Sequence, residues 1–241
     1  MEGWAVTEPI ALRRSEAGQA ARVLTRAFAD DEAWRTIFPV DAVRAAVLPR
    51  LWRAVVGYSL RYGEVWATPD VAGVACALGP GRSFVTPWRE IRTGLRFSRL
   101  IAGLSFESRR SFLSAALAID RLHHEAMPGP HEYLWALGVD TARQGAGTGS
   151  ALVGAFVARA DEARLPAYLE TETERNVSFY RRHGFDVLRE EHALGGRLRV
   201  WAMIRPPRPL QRNAHAGHRV TPDVGPARRA VDEGRPATYD H

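Results

Sequence analysis

The chain has no lysine: all 33 of its basic residues are arginines, set against 27 Asp and Glu in 241 residues. That absence excludes a Walker-type phosphate loop, which needs Gly-Lys-Ser/Thr after a glycine and four intervening residues. There is one cysteine, Cys76, so no intramolecular disulfide can form. Its place in the apolar run 71–78 marks a buried, inert thiol. No uninterrupted apolar stretch approaches the length needed to span a bilayer, and residues 1–7 lack a basic region followed by an apolar core. The expectation is a cytoplasmic protein with no membrane partner. Arginines alternate with carboxylates over most of the body, so the net charge of +6 reads as a solvated surface. No basic stretch is interleaved with aromatics in the manner of single-strand binders, and no nucleic-acid partner is expected.

What is present is enough apolar content, 46%, to bury one full core with a tail to spare. Periodicity predicts a strand over 10–14, a helix over 16–28 and a connecting segment through the thirties. A helix over 43–62, kinked or restarted at Pro49, comes next. A hairpin of 63–68 and 71–78 turns around Pro69-Asp70. Residues 86–127 read as two helices split near Ser105-Phe106-Glu107. Then follow strand 133–139, helix 148–163, strand 167–171, helix 175–183 and strands 185–190 and 198–204, the last pair joined at Gly195-Gly196. From 206 to 241 hydrophobic periodicity is lost and a disordered, basic, Pro/Arg-rich tail is expected. The domain is thus 8–205, with a helical segment at 84–130 and a short extension at 1–7.

The strand-to-helix turn at 139–152 carries alternate glycines at 145, 147 and 149. Such a turn lets backbone N–H groups and the positive helix end approach a phosphate. The dinucleotide fingerprint does not fit, because the glycine spacing differs and the turn lies deep in the chain. Gln144-Gly145-Ala146-Gly147-Thr148-Gly149 instead resembles the pyrophosphate loop of the GNAT family of N-acetyltransferases. Leu169-Glu170-Thr171 and then Asn176, Tyr180 and Gly184-Phe185 are similar to the second half of the same family's motif set. His131-Glu132-Tyr133-Leu134 and Val200-Trp201-Ala202-Met203 look most like the small-molecule group that includes puromycin N-acetyltransferase.

That resemblance, specific over 131–204, implies an α/β fold with a mixed, mostly antiparallel sheet of about six to seven strands flanked by helices. In such a fold strand 133–139 splays from strand 167–171 to make a cofactor cleft. It implies acetyl-CoA as donor, no metal, and a primary amine on an antibiotic-like or amino-acid-derived small molecule as acceptor, with a monomer or homodimer as the working form. Leu137 and Val139 would contact the pantetheine arm. The amides from Gln144 through Gly145, Ala146, Gly147, Thr148 and Gly149, with Arg143, would take the pyrophosphate. Asn176 would border the cofactor and Tyr180 would serve as general acid. A surface ion pair is the alternative for Arg143, a core position for Tyr180 and a helix cap for Asn176.

For the general base, Glu170 and Glu172 alternate onto one side of their strand. Glu170 is assigned the base and Glu172 acceptor binding, with Glu132 and His131 also within reach of the cleft and ordinary ion pairs as the alternative. Asp31, Trp34 and Phe38 are assigned to the acceptor pocket, since a carboxylate beside aromatics suits a cationic amine on an apolar body; Trp34 and Phe38 closing the core is the other reading. His123 and His124 do not suggest a metal site, because neighbours on a helix point about 100° apart and no companion ligands stand nearby. Protein N-terminal acetylation and a non-catalytic acyl-CoA-binding or sensing module are the rival functions.

Overall fold

A computed structural model describes residues 8–83 and 85–208; the extension at 1–7 and the expected tail from 209 onward lie outside the described residues. In chain order the elements are β1 (Ile10–Ala11), α1 (Ala17–Ala27), α2 (Glu32–Ile37), α3 (Asp41–Tyr62), β2 (Gly63–Ala67), β3 (Gly73–Leu78), α4 (Pro87–Arg92), α5 (Arg96–Ala102) and α6 (Phe106–Ala126). They continue with β4 (Glu132–Val139), α7 (Thr148–Ala163), β5 (Ala167–Thr171), α8 (Glu174–Arg181), β6 (Asp186–Ala193) and β7 (Leu198–Arg205).

Seven strands form one sheet in the order β1-β2-β3-β4-β5-β7-β6. Every neighbouring pair is antiparallel except β4 and β5, which run parallel. Strand alternation divides the core between two faces. Tyr133, Ala136, Tyr168 and Ala202 join a cluster with residues of α1, α3 and α6. Leu134, Leu169 and Met203 pack with Leu152, Val153 and Phe156 of α7 and Val177 and Tyr180 of α8. Helices therefore cover both sides, and the single parallel pair lies at the centre.

Three elements differ from the sequence reading. The connecting segment contains α2, whose first turn is capped by the Asp31 carboxylate accepting from the Ala33 and Trp34 N–H groups. Helix α3 runs unbroken through Pro49. Eight apolar residues from Val47 to Tyr58 are buried along it, and that packing outweighs the backbone bond the proline cannot donate. The 86–127 segment holds three helices, because Gly94 and Leu95 both take positive φ, +82° and +53°, and end α4 before α5. The Cys76 side chain is fully enclosed, and burial pushes its thiol up to about 12.

Gly63 is required by close approach: a Cβ there would lie 2.0 Å from the Ala77 carbonyl oxygen within the β2–β3 ladder. Gly154, inside α7, has nothing within 4 Å of an added Cβ. Urea unfolding should show Gly63→Ala destabilised by about 2–3 kcal/mol through overpacking, whereas Gly154→Ala should gain about 0.5–1 kcal/mol. Equal effects would contradict this packing.

Candidate active site

The site begins where the parallel pair ends. β4 and β5 pair only at Glu132↔Ala167, Tyr133↔Tyr168 and Leu134↔Leu169. Opposite β3 the register then jumps from Leu134↔Ala77 to Ala136↔Cys76, which leaves Trp135 as the extra residue of a β-bulge. A bulge bends its strand and strengthens the twist. β4 continues to Val139 alongside β3, while Glu170 and Thr171 of β5 follow β7 through Ala202 and Trp201. A wedge opens between 135–139 and 170–171, and Leu137 and Val139, both half-buried, lie on its β4 side.

The glycine loop closes the wide end of the wedge. Asp140 accepts from the Ala142 N–H and pairs with Arg26, and Gln144 Nε2 donates to the Val139 carbonyl at 3.2 Å. Arg143 pairs with Asp70 from the β2–β3 turn, so its guanidinium is held at the loop as one arm of an ion pair. Gly145 and Gly147 adopt φ of +82° and +83°, a conformation that L-residues with side chains rarely hold. Gly147 is the N-cap of α7, and the first intrahelical bond comes from Ala151 to the Gly147 carbonyl at 3.0 Å. The N–H groups of Thr148, Gly149 and Ser150 therefore precede the helical ladder, with the positive dipole end behind them. Ala146 bridges the two turn glycines with nothing near Gly145 within 4 Å of an added Cβ. At Gly149 a Cβ would press to 3.4 Å from the Phe179 ring. The alternate glycines leave the backbone beside these N–H groups open, a donor set whose chemistry suits an anionic group such as a pyrophosphate.

Helix α8 brings Asn176 and Tyr180 to the same end of the sheet. Thr173 is its N-cap, accepting from the Asn176 N–H at 3.2 Å, so Asn176 itself does not act as the cap. Asn176 and Tyr180 are one turn apart and share a face. Tyr180 is 8% exposed and packs against Phe179 and Phe185. Burial first, then the Glu172 carboxylate, raises its phenol well above the ordinary value.

Glu172 lies just past β5. It is half-buried at its surface, yet its carboxyl is closely surrounded; burial first, then the charges of Asp31 and Glu170, push it up to about 8. Glu170 points to the α6 face, with Oε1 2.9 Å from His123 Nδ1. Asp31 serves as the α2 cap, and burial raises its carboxyl. Trp34 is half-buried between Phe38 and Trp52. Phe38, 1% exposed, is enclosed by Trp34 and Phe112. Arg44 pins this segment by donating to the carbonyls of Ala29 and Phe38 and to Asp41. The structure thus brings Asp31, Glu170, Glu172 and Tyr180 together and places Phe38 in the core. Glu132 faces the other side, 3.7 Å from Arg159, on a cavity of about 600 Å³ also lined by Arg14, Arg61 and Arg82. That cavity shares no residue with the wedge or the glycine loop.

Sequence reasoning assigned no role to His123, Tyr133 or Tyr168, which surround Glu170. A signal existed for the histidine: it falls on the stripe Ala115, Leu122 and Ala126 of α6, whereas His124 points outward toward Asp120.

Residues 114–187 match the acetyltransferase (GNAT) domain family. Among solved structures, one described as histone acetyltransferase HPA2 and related acetyltransferase from Corynebacterium glutamicum superposes with a TM-score of 0.59 at 20% identity, covering 85% of this chain and 98% of that one. The fold is that of the GNAT acetyltransferases. Arylalkylamine N-acetyltransferase 2 from Aedes aegypti gives 0.55 at 12% identity, with 83% and 99% covered. The C-terminal condensation domain of Ebony, in complex with beta-alanyl-dopamine, gives 0.53 at 10%, with 83% and 98% covered. Since the same fold also carries a condensation domain, function here must be argued from the site.

Glu172 sets a pH signature. In the folded chain its carboxyl keeps a proton up to about 8, whereas the unfolded chain releases it near the ordinary 4.5. The folded state binds more protons across that window, so this group's contribution to stability is full below it and is lost as pH rises through it. Calorimetric melting should show the gain of Glu172→Gln over the native protein growing from pH 4.5 to a plateau above 8. A gain that does not change with pH would contradict the shift.

Proposed function

We propose that this chain is an acetyl-CoA-dependent N-acetyltransferase acting on the primary amine of a small molecule, by direct transfer within a ternary complex. One observation carries the reading: at a single strand wedge a glycine loop at a helix N-terminus lies with a buried phenol from α8, the Glu170 carboxyl of β5 and the Glu172 carboxyl just past it. The reading gains support from the match of 114–187 to an acetyltransferase domain. Similarity to the puromycin-type group, and an acceptor that is antibiotic-like or amino-acid-derived, belong to the same proposal.

The chemistry sets what the residues must do. An alkylamine of pKa about 10.4 is neutral in only about one molecule in 2,500 at pH 7, a penalty of about 4.6 kcal/mol. Glu170 would attract an ammonium and take its proton, while the Glu172 carboxyl, close to Asp31 and keeping its own proton up to about 8, would hydrogen-bond the acceptor. Trp34, backed by buried Trp52, would offer the apolar body of the acceptor a surface. Tyr180, on the α8 side, would protonate the departing thiolate; its raised phenol keeps the proton until that charge develops. Leu137 and Val139 would pair with the pantetheine arm along the open β4 edge, and the amides of 144–149 would hold the pyrophosphate. We place the enzyme in the cytoplasm as a monomer or homodimer. Among the described residues no helix is long and apolar enough to cross a membrane.

The test is thiol release from acetyl-CoA by the purified protein across aminoacyl-nucleosides, aminoglycosides, arylalkylamines, polyamines and short peptides. Turnover confined to one small-molecule class is expected, with Tyr180→Phe losing about 100-fold in kcat while acetyl-CoA affinity is kept. Turnover of peptides alone, or acetyl-CoA binding with no turnover of any amine, would overturn the reading in favour of protein acetylation or sensing.

A further inference from the structure

The cavity of about 600 Å³ at the first residue of β4 has no part in the acetyl-transfer reading. Its charged lining converges from separate elements: Arg14 follows β1, Arg61 lies in the last turn of α3, Glu64 is on β2, Arg82 follows β3, Glu132 opens β4 and Arg159 is on α7. Four guanidiniums thus meet two carboxyls, an excess of two positive charges when both carboxyls are ionised. Arg159 is held by Glu64, with Nε 2.8 Å from Oε1. Arg14 donates to the Leu60 carbonyl at 3.2 Å and Arg61 Nε to the Tyr62 hydroxyl at 3.4 Å. Among the described residues neither of these two nor Arg82 has a carboxylate partner, and all three are exposed.

A second observation comes from the buried carboxyl of this lining. Glu132 is 4% exposed, and its Oε1 is enclosed with no hydrogen-bond partner. The Arg159 guanidinium, 3.7 Å away, is beyond hydrogen-bond reach. Burial raises the Glu132 carboxyl, with the Arg159 charge opposing and the Glu64 charge adding. A buried oxygen left in this state costs free energy that a donor brought by a ligand recovers. Space for that donor lies at Gly79, which also lines the cavity. A Cβ added there would meet Glu132 Oε2 and Oε1 at 3.7 and 4.0 Å and nothing else within 4 Å.

We propose that this cavity is a second ligand site, separate from the wedge, for the phosphate monoester of a hydroxylated small molecule, its phosphate among Arg14, Arg61 and Arg82 and a hydroxyl donating to Glu132. The proposal stands independently of the acetyl-transfer reading. A phosphate monoester carries close to two negative charges at pH 7, which matches the charge excess of the lining. Guanidiniums arriving from separate elements suit a tetrahedral group with three terminal oxygens better than a planar carboxylate, which one or two forks satisfy. The hydroxyl gives Glu132 Oε1 the donor it lacks, and so distinguishes a polyol phosphate from the free ion.

The test is a titration of the full-length ¹⁵N-labelled protein at fixed ionic strength with inorganic phosphate, glucose 6-phosphate, glucose and succinate. Phosphate should give saturable amide shifts at 61–64, 79–82 and 132. Glucose 6-phosphate should shift the same residues and bind about 10-fold tighter, while glucose alone should leave them unmoved. Arg82→Ala, a change at an exposed side chain, should weaken both phosphates about 10-fold with the melting temperature kept. Glu132→Ala should cancel the advantage of glucose 6-phosphate over phosphate. Gly79→Leu, which fills the space before Glu132 and leaves every charge in place, should do the same if the buried substitution fails to fold. Shifts that do not saturate, glucose 6-phosphate no tighter than phosphate, or succinate as tight as glucose 6-phosphate would each overturn the proposal. Displacement of phosphate by acetyl-CoA would also overturn it, by making the cavity part of the donor site.

Discussion

The separation of β4 from β5 after Leu134 and Leu169 is the constraint on which the rest of the structure depends. Three paired residues hold the two strands parallel, and then the Trp135 bulge commits β4 to β3 while β5 remains with β7. Backbone groups on the inner edges of a sheet are normally consumed by the neighbouring strand. Here they face a gap, and a ligand with amide groups along its length is the natural substitute. The glycine loop, α8 and the carboxyls of Glu170 on β5 and Glu172 just past it are all arranged around that gap.

The divergence also explains why chemically different groups meet. Leu169 and Thr171 face α7 and α8, while Tyr168 and Glu170 face α6, because alternate strand residues point to opposite sides. At the wedge this partition ends: Glu172, past the strand, is close enough to both Glu170 and Tyr180 to perturb the phenol on the other face. The Tyr180 phenol and the Glu170 carboxyl thereby approach one wedge from opposite layers, each layer with its own hydrophobic cluster.

Local pattern made most of this legible. Strands β4 and β5 and helix α7 fall within a residue of the periodicity reading, because each combines a strong apolar pattern with a glycine or cap at its end. The glycine loop was readable since its spacing carries a mechanism. Short α2 was not, because six residues hold too little periodicity and its signal was a single capping Asp31. The break at Gly94-Leu95 was missed for a related reason: its one mark in the sequence is Gly94, and the positive φ at Leu95, a conformation L side chains rarely adopt, leaves no mark in composition. The partnership of His123 with Glu170 joins residues 47 positions apart. Only the placement of α6 against β6 and β7 could reveal it, although the apolar stripe already marked His123 as facing inward.

The central claim is that the wedge and the glycine loop together receive the donor. Backbone amide shifts in ¹⁵N-labelled protein, followed as acetyl-CoA is added, test this directly. The largest changes should fall at 135–139 and 144–150, with smaller ones at 176–180. Changes concentrated instead around Arg14, Arg61 and Arg82, at the other end of β4, would contradict the account.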